Sequence, residues 1–368
     1  MSMTVSTPSR ICLFGEHLDY LGLEVIALAI DLRFTAEIFP RSDAIIHVEI
    51  RSDKFSETSI VPDTVFVFSF NCLQKLTYSN NRDYFRSVIT VLSRHGLQLQ
   101  HGYDIFMRSD IPVGKGMSSS SAMIIAYIKA LLEAEDHPLK DSPVDIAYFA
   151  YCAEVEEFGE PGGMMDQYTS ALGGLINLDF HDKKPVIRML DSPIPGVFLL
   201  FDSLSDKKTS VVLSSGKEPV LRAVKKLRAL GITGEYLTTT VIPDDAGLTD
   251  EEIRKLTTAR ENYRLLHEAK RMILTGVIDP LQFGVLLIEH HEYLRDGLGI
   301  STPAIESILA TALKSGAWGG KLNGSGGGGC VFVYCSADNA DSIMQAVGSL
   351  GFPGRIIRPD GGVRREPQ

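Results

Sequence analysis

Residues 110–122 read DIPVGKGMSSSSA, a glycine-spaced loop followed by four serines and the start of an apolar run. Glycine lets the backbone approach a ligand closely and adopt positive φ. The first N–H groups of a helix have no partner inside it and carry partial positive charge, so an anion binds well there. Serine hydroxyls add donors and a possible magnesium ligand. The stretch predicts a phosphate-binding loop that opens a helix.

The residues after the loop support that helix. Aliphatic side chains recur at steps of three and four, at Ile124, Ile125, Ile128, Leu131 and Leu132. This spacing places them on one face of a helix, and Pro138 ends the pattern. A Ser/Gly loop that merely caps a core helix is the alternative interpretation.

Two common nucleotide-binding loops do not fit the chain. A Walker A loop needs serine or threonine after its Gly-Lys pair. Here Lys115 is followed by Gly116, and Lys321 by Leu322. A dinucleotide-binding Gly-x-Gly-x-x-Gly with the required strand before it is also missing from the sequence. The loop at 110–122 is therefore predicted to be a phosphate loop of another kind.

Composition restricts the class of protein. The 368 residues are enough for two domains, and the hydrophobic fraction of 44% is typical of globular proteins. A net charge of −10 argues against general nucleic-acid binding, which needs a basic face. A phosphate ligand must therefore be bound by local geometry.

Cysteine usage and hydropathy indicate the compartment. The five cysteines, at positions 12, 72, 152, 330 and 335, form no CxxC pair, which favours reduced thiols in the cytoplasm. Residues 1–10 lack the apolar core of a signal peptide, and no apolar run approaches the length that spans a bilayer. We therefore expect a cytoplasmic protein without a membrane partner.

The order of strands and helices predicts an α+β fold of two layers. Strand patterns occupy residues 11–14, 25–30, 34–38, 45–50, 65–70, 175–180, 197–201 and 331–334. Helical patterns occupy residues 82–95, 143–157, 217–230, 250–273, 280–294, 302–315 and 338–350. The proline- and charge-rich segment 185–196 is a plausible domain junction.

A first polar cluster follows an apolar strand near the N-terminus. Residues 8–20 read PSRICLFGEHLDY and bring Arg10, Glu16, His17 and Asp19 together. These side chains could bind a divalent metal ion, or they could be ordinary surface charge. They also suit a polyhydroxyl ligand, because carboxylates accept hydrogen bonds from hydroxyls while arginine and histidine donate them.

A second segment, residues 154–167, reads EVEEFGEPGGMMDQ. Its acidic start is typical of a solvated helix end, but Asp166 follows Gly163 and two methionines. A carboxylate in apolar surroundings is costly unless it is paired or functional. Asp166 is therefore a candidate functional residue, with capping of the next helix as the alternative.

A third segment, residues 319–330, reads GGKLNGSGGGGC and precedes an apolar strand. Such a glycine run could be a flexible linker. Its position between a predicted helix and a buried strand favours a close backbone approach to a ligand.

The three segments, in this order, resemble the GHMP kinase superfamily. Residues 8–20 are most similar to the galactokinase signature, Pro-Gly-Arg-x-Asn-Leu-Ile-Gly-Glu-His-x-Asp-Tyr. The resemblance implies an N-terminal domain like ribosomal protein S5 domain 2, over residues 1–190, and a ferredoxin-like C-terminal domain, over residues 191–368. ATP and a substrate would bind in the cleft between them.

The resemblance also implies roles for individual residues. The ATP phosphates would be wrapped by Gly114, Gly116, Ser118, Ser119, Ser120 and Ser121. Mg²⁺ would be held by Ser120 and Glu154. Asp166 would be the catalytic base, beside Arg10. The sugar would be contacted by Glu16, His17, Asp19 and Gly163. The residues at 10, 120, 154 and 166 are far apart along the chain, and we expect them to converge in one cleft.

The implied activity is ATP-dependent phosphorylation of the anomeric hydroxyl of galactose or a close relative. A mevalonate-type kinase of small alcohols and a catalytically silent, galactokinase-like sugar sensor are the alternatives. The expected partner is a small-molecule sugar rather than nucleic acid or a membrane, and the expected state is a monomer or homodimer.

The chain departs from the galactokinase pattern in two places. Ser9, Cys12 and Leu18 replace signature residues. Residues 214–220 read SSGKEPV, where galactokinases usually have Ser-Ser-Glu-Tyr-Pro with the tyrosine beside the sugar. This second change is either a loop change outside the site or a sign of a changed substrate. In the latter case an anionic group, such as that of a uronate, would meet Lys217, Lys207 or Lys208.

Overall fold

The computed structural model describes residues 2–52, 64–70, 76–160, 162–181, 184–191, 193–205, 209–232, 242–243 and 246–367, with the backbone alone over 209–216. The strands are β1 Met3–Phe14, β2 Val25–Pro40, β3 Ile45–Ser52, β4 Thr64–Ser69, β5 Tyr103–Ser109, β6 Leu175–Asp179, β7 Val186–Met189, β8 Val197–Asp202, β9 Gly319–Leu322, β10 Cys330–Cys335, β11 Gly354–Ile357 and β12 Arg364–Arg365. The helices are α1 Tyr84–Arg94, α2 Ser119–Ala134, α3 Pro143–Glu154, α4 Met165–Leu172, α5 Thr209–Ala229, α6 Asp250–Thr275, α7 Pro280–Glu292, α8 Pro303–Lys314 and α9 Ala340–Gly348. This mixture confirms the predicted α+β class.

The first sheet supports the proposed phosphate loop. Within the described ranges its strand order is β12-β1-β2-β5-β3-β4, with β6 and β7 extending from β2. Neighbours are antiparallel except the β3–β5 pair. The apolar face of α2, including Ile125 and Ile128, is fully buried in the core formed with this sheet. The predicted helix is thus confirmed, although it already begins at Ser119 within the serine run. Its N-terminus lies beside β1, where Ser9 Oγ donates to the Met117 carbonyl over 2.6 Å.

The second sheet has the antiparallel order β11-β8-β10-β9. Helices α8 and α9 cover one face of this sheet through a core that contains Ile305, Ile308 and Ile343. The two sheets meet where Phe14 of β1 packs edge-on against Phe283 of α7, with ring centroids 5.4 Å apart. None of the helices in the described ranges is long and apolar enough to cross a membrane.

The C-terminal segment returns to the first sheet. Strand β12 pairs with β1, and the backbone N–H of Val363 donates to the Ala171 carbonyl over 3.0 Å at the end of α4. Arg33 of β2 donates to Asp360 over 2.6 Å. The last described residues therefore support both β1 and α4.

Strands β5, β11 and β12 were not predicted, and β2 joins two predicted strands. Three further differences concern α5, β7 and β9. Helix α5 starts at Thr209 rather than 217 and continues through Pro219, although proline removes one helical hydrogen bond. Its apolar side chains, including Val220 and Leu227, are buried in a core with Leu256 of α6, and this packing outweighs the local cost. Strand β7 lies inside the segment 185–196 that was interpreted as a junction, and β9 includes two glycines.

Candidate active site

The loop before α2 has an unusual backbone. Gly114, Gly116 and Ser118 have φ values of 71°, 78° and 55°. A Cβ at Gly116 would lie 2.6 Å from the carbonyl oxygen of Asn323, so only glycine fits there. Positive φ at a serine is strained and is often found at functional sites. The backbone conformation of this loop therefore lowers local stability.

A cavity of about 470 Å³ opens over this loop and the start of α2. It is lined by Gly114, Gly116, Ser118, Ser119, Ser120, Arg10, Asp166, Gly324 and Ser325, among others. The hydroxyls of Ser118 and Ser325 are buried without a hydrogen-bond partner among the described residues. The side chain of Ser118 also does not cap α2. Buried hydroxyls normally find partners, so these two donors fit an anionic ligand.

Asp166 and Arg10 form an ion pair in the wall of this cavity. Arg10 Nε and Nη2 both lie 2.7 Å from Asp166 Oδ1, and Arg10 Nη1 donates to the Gly116 carbonyl over 2.9 Å. The Arg10 side chain is 4% exposed, and that of Asp166 is 31% exposed. Burial lowers the pKa of Arg10, but the charges of Asp166 and Glu16 outweigh it and the net shift is upward. Arg10 therefore remains a cation that links Asp166 to the phosphate loop.

The position of Asp166 in the first turn of α4 argues against a capping role. The N-cap is Met164, which makes no side-chain capping bond. The Asp166 carboxylate instead faces Arg10.

Glu154, at the end of α3, is buried beside the serines. Its carboxylate accepts hydrogen bonds from Ser120 Oγ over 2.6 Å, from Ser121 Oγ over 2.7 Å and from Gln167 Nε2 over 2.7 Å. These partners are neutral, and burial raises the pKa of Glu154. A buried carboxylate with neutral partners is a good ligand for a divalent cation, and oxygen ligands suit Mg²⁺. The structure therefore brings the residues at 10, 120, 154 and 166 together as expected.

Glu16 forms a second buried ion pair. Its Oε2 lies 2.8 Å from Nζ of Lys321, which is fully buried and also donates to the Cys12 and Leu322 carbonyls. Among the described residues, no three His, Cys, Asp or Glu side chains are grouped so as to hold a metal ion. The interpretation of the N-terminal cluster as metal ligands therefore has no support in these ranges.

Asp19 and Gly163 are in direct contact. A Cβ at residue 163 would lie 1.9 Å from Asp19 Oδ2, so the glycine allows this carboxylate to approach the segment before α4. The pKa of Asp19 is raised to about 6, mainly by burial and then by the charge of Asp166. His17 lies next to it, with Nδ1 3.5 Å from the Tyr20 hydroxyl. Of the predicted sugar-contacting residues, Asp19 and Gly163 thus lie together within electrostatic range of Asp166, whereas Glu16 is engaged by Lys321.

Three residues of the site were missed in the sequence. Asn323 accepts from the Cys12 N–H over 2.9 Å and donates to the Gly116 carbonyl over 2.9 Å, which ties the glycine run to the phosphate loop. Lys321 and Gln167 orient Glu16 and Glu154. Lys321 stands in a glycine run in the sequence, so no local pattern marked it as a buried partner of Glu16. Lys207 and Lys208, two of the candidate anion contacts, lie outside the described residues.

Comparison with known proteins agrees with this geometry. Residues 83–174 match the GHMP kinases N terminal domain, residues 265–352 match the GHMP kinases C terminal model, and residues 2–40 match the galactokinase galactose-binding signature. Together these matches span more than half of the chain.

The similar full-length proteins include galactokinases and a mevalonate kinase. A galactokinase of Thermococcus kodakarensis is 29% identical over 98% of this chain and 99% of its own length. A mevalonate kinase of Thermococcus sibiricus is 26% identical over 97% of each chain. The solved structure of Lactococcus lactis galactokinase complexed with galactose superposes with a TM-score of 0.82 at 20% identity, covering 99% of this chain and 95% of the other. The chain therefore belongs to the GHMP kinases and carries the galactose-binding signature of their galactokinase branch.

Proposed function

We propose that the protein is an ATP-dependent sugar kinase that phosphorylates the anomeric hydroxyl of galactose or a close relative. The contacts of Arg10 carry the proposal, because they join the galactose-binding signature both to Asp166 and to the Gly116 carbonyl of the phosphate loop within one cavity. The matched signature over residues 2–40 favours a sugar over mevalonate.

The proposed mechanism relies on positioning and charge. The phosphate loop and the start of α2 would bind the ATP phosphates, with Ser118 and Ser325 as additional donors. Because both Arg10 contacts fall on Oδ1 of Asp166, Oδ2 is the oxygen expected to accept the sugar's anomeric proton. The sugar oxygen then forms the bond to the γ-phosphorus, and ADP leaves. Arg10 would also offset the charge on the transferring group.

Ser120 and Glu154 would hold Mg²⁺. When bound, the ion neutralises charge on the β- and γ-phosphates. Ser121 and Gln167 would orient the Glu154 carboxylate for this role, since both donate to its Oε2.

We also propose the division near residue 190, with the first sheet as the core of the N-terminal unit and the second sheet as the core of the C-terminal unit. Cytoplasmic location is proposed because Cys12, Cys152 and Cys335, among the described residues, are free, buried thiols. Free thiols are typical of a reducing compartment.

A coupled assay of ADP release tests the function. The substrates should include galactose, glucose, galacturonate and mevalonate, each with Mg-ATP, and NMR should locate the phosphate in the product. We expect galactose or a near relative to give a sugar 1-phosphate. A preference for mevalonate, or sugar binding without ADP release, would contradict the proposal and favour one of the two alternatives.

Asp19→Asn is expected to raise the KM for galactose about tenfold at pH 7.5, because a charged acceptor for a sugar hydroxyl is lost. The wild-type KM should rise as the pH falls through about 6, where Asp19 becomes protonated. The variant should lack this inflection. Steady-state kinetics between pH 5 and pH 8 measure both.

The same variant should be more stable than the wild type. A raised carboxyl pKa means that the folded state binds the proton more tightly, so the ionised form costs stability as the pH rises through about 6. The gain at pH 7.5 should be on the order of 1 kcal/mol, since part of the side chain remains solvated. Asp338→Asn, at an exposed position, is the control. Lower stability of Asp19→Asn would assign Asp19 a structural role.

A further inference from the structure

Lys217 of α5 reaches the galactose-binding signature from the second half of the chain. The residue is 4% exposed, and its Nζ lies 4.0 Å from the centroid of the Tyr20 ring. An ammonium group over an aromatic face is attracted by the ring quadrupole. The unusual SSGKEPV segment is therefore not a loop outside the site, because its lysine packs on a residue of the signature.

The Lys217 ammonium also lies within electrostatic range of Asp19. Burial lowers the pKa of Lys217, and the charge of Asp19 opposes that shift. Reciprocally, Lys217 is among the groups that lower the pKa of Asp19. Asp19 directly contacts Gly163, three residues before Asp166, and Lys217 packs on the adjacent Tyr20, so the ammonium lies beside the proposed sugar-contacting residues.

The charges of this region are balanced in pairs. Arg10 pairs with Asp166 over 2.7 Å, and Lys321 pairs with Glu16 over 2.8 Å. The third carboxylate is Asp19, and the charge of Lys217 lowers its pKa. These three carboxylates and three cations sum to zero, and Glu154, whose pKa is raised mainly by burial and also by the charge of Asp166, adds a further carboxylate nearby. A uronate would add another negative charge next to cations that already face carboxylates, and burying such a charge without a counter-ion is costly.

We propose that Lys217 is a specificity-determining residue that, together with Asp19, binds hydroxyl groups of a neutral sugar and disfavours a uronate. This inference rests on the proposed function and deepens it. An ammonium provides three donors and a carboxylate only acceptors, so the pair can bind a hydroxyl as both acceptor and donor. Of the two kinds of substrate that the sequence left open, the Lys217–Asp19 pair therefore favours the neutral hexose over the anionic uronate.

Lys217→Met tests the inference, because methionine keeps an unbranched apolar stem on Tyr20 and removes the charge. The KM and the calorimetric dissociation constant for galactose should rise about 10- to 100-fold. The KM for ATP should stay within about twofold, which a general loss of structure would not allow. Lys225→Met, an exposed lysine of the same helix, is the matched control and should behave as wild type. Lys217→Arg keeps the charge and should retain part of the affinity, which covers the case that the methionine variant folds poorly.

The outcomes separate the inference from the function. A wild type that prefers galactose to galacturonate by more than about 100-fold supports the inference. An unchanged galactose affinity in Lys217→Met overturns it, as does a wild-type preference for galacturonate that this variant abolishes. If the wild type binds galactose without forming ADP, the proposed function fails, while the affinity change in Lys217→Met still decides the inference. A wild type that does not bind galactose overturns both.

Discussion

Asp166→Asn is expected to lower kcat for galactose about 1,000-fold, in the range that general-base catalysis contributes. The amide has nearly the same shape as the carboxylate but cannot take the proton of the sugar hydroxyl. It also removes the negative partner of Arg10, whose Nε and Nη2 both lie 2.7 Å from Oδ1. ATP binding should survive, because the phosphate loop reaches Arg10 through the Gly116 carbonyl rather than through Asp166. Pre-steady-state kinetics and ATP titration measure the two effects.

The control for this variant is Asp110→Asn. Asp110 is exposed and directly precedes the phosphate loop, so its loss changes the local charge without touching the ion pair. It should leave kcat within about twofold. A kcat for Asp166→Asn close to that of the wild type would remove Asp166 from the role of base.

Glu154→Gln is expected to reduce kcat/KM for Mg-ATP by about 100-fold or more, because a carboxylate ligand of the proposed Mg²⁺ is lost. The stability of the fold should not decrease. Burial raises the pKa of Glu154, so without bound metal its charge costs stability, and the neutral amide can still bond to Ser120 and Ser121. We therefore expect an equal or higher melting temperature in metal-free buffer together with a weaker response of activity to Mg²⁺.

A control variant, and the melting temperature compared with the Mg²⁺ dependence, distinguish metal binding by Glu154 from a structural role. Glu156→Gln changes an exposed carboxylate two residues away and should leave both properties unchanged. If Glu154→Gln instead lowers the melting temperature while its Mg²⁺ dependence equals that of the wild type, Glu154 acts through the fold and not through the metal.

Elements with strong local patterns were predictable from the sequence. The start of α2 at the serine run and its end before Pro138 follow from periodicity and turn chemistry, and α8 and β10 lie within about a residue or two of their predicted bounds. The exceptions depend on tertiary packing. Helix α5 continues through Pro219 because its apolar side is buried against α6, which a local pattern does not reveal.

In the candidate site, too, some residues were predictable from the sequence and others depend on tertiary packing. The resemblance to the GHMP kinases, carried by short motifs, was sufficient to nominate Arg10, Glu154 and Asp166 as neighbours. The pairing of Lys321 with Glu16 joins residues 305 positions apart. The position of Lys217 over Tyr20 likewise depends on how α5 packs. Such contacts are decided by the docking of the two sheets, and no spacing along the chain encodes them.

The pairing of β12 with β1 also bears on biosynthesis. Val5 and Ser6 lie opposite Arg365 and Arg364, so β1 meets this neighbour only after residues 364 and 365 have been synthesised. Until then that border of the nascent sheet has open backbone hydrogen-bonding groups, which are a template for unwanted association between chains. The late pairing with β12 therefore covers part of the β1 edge that could otherwise pair with another chain.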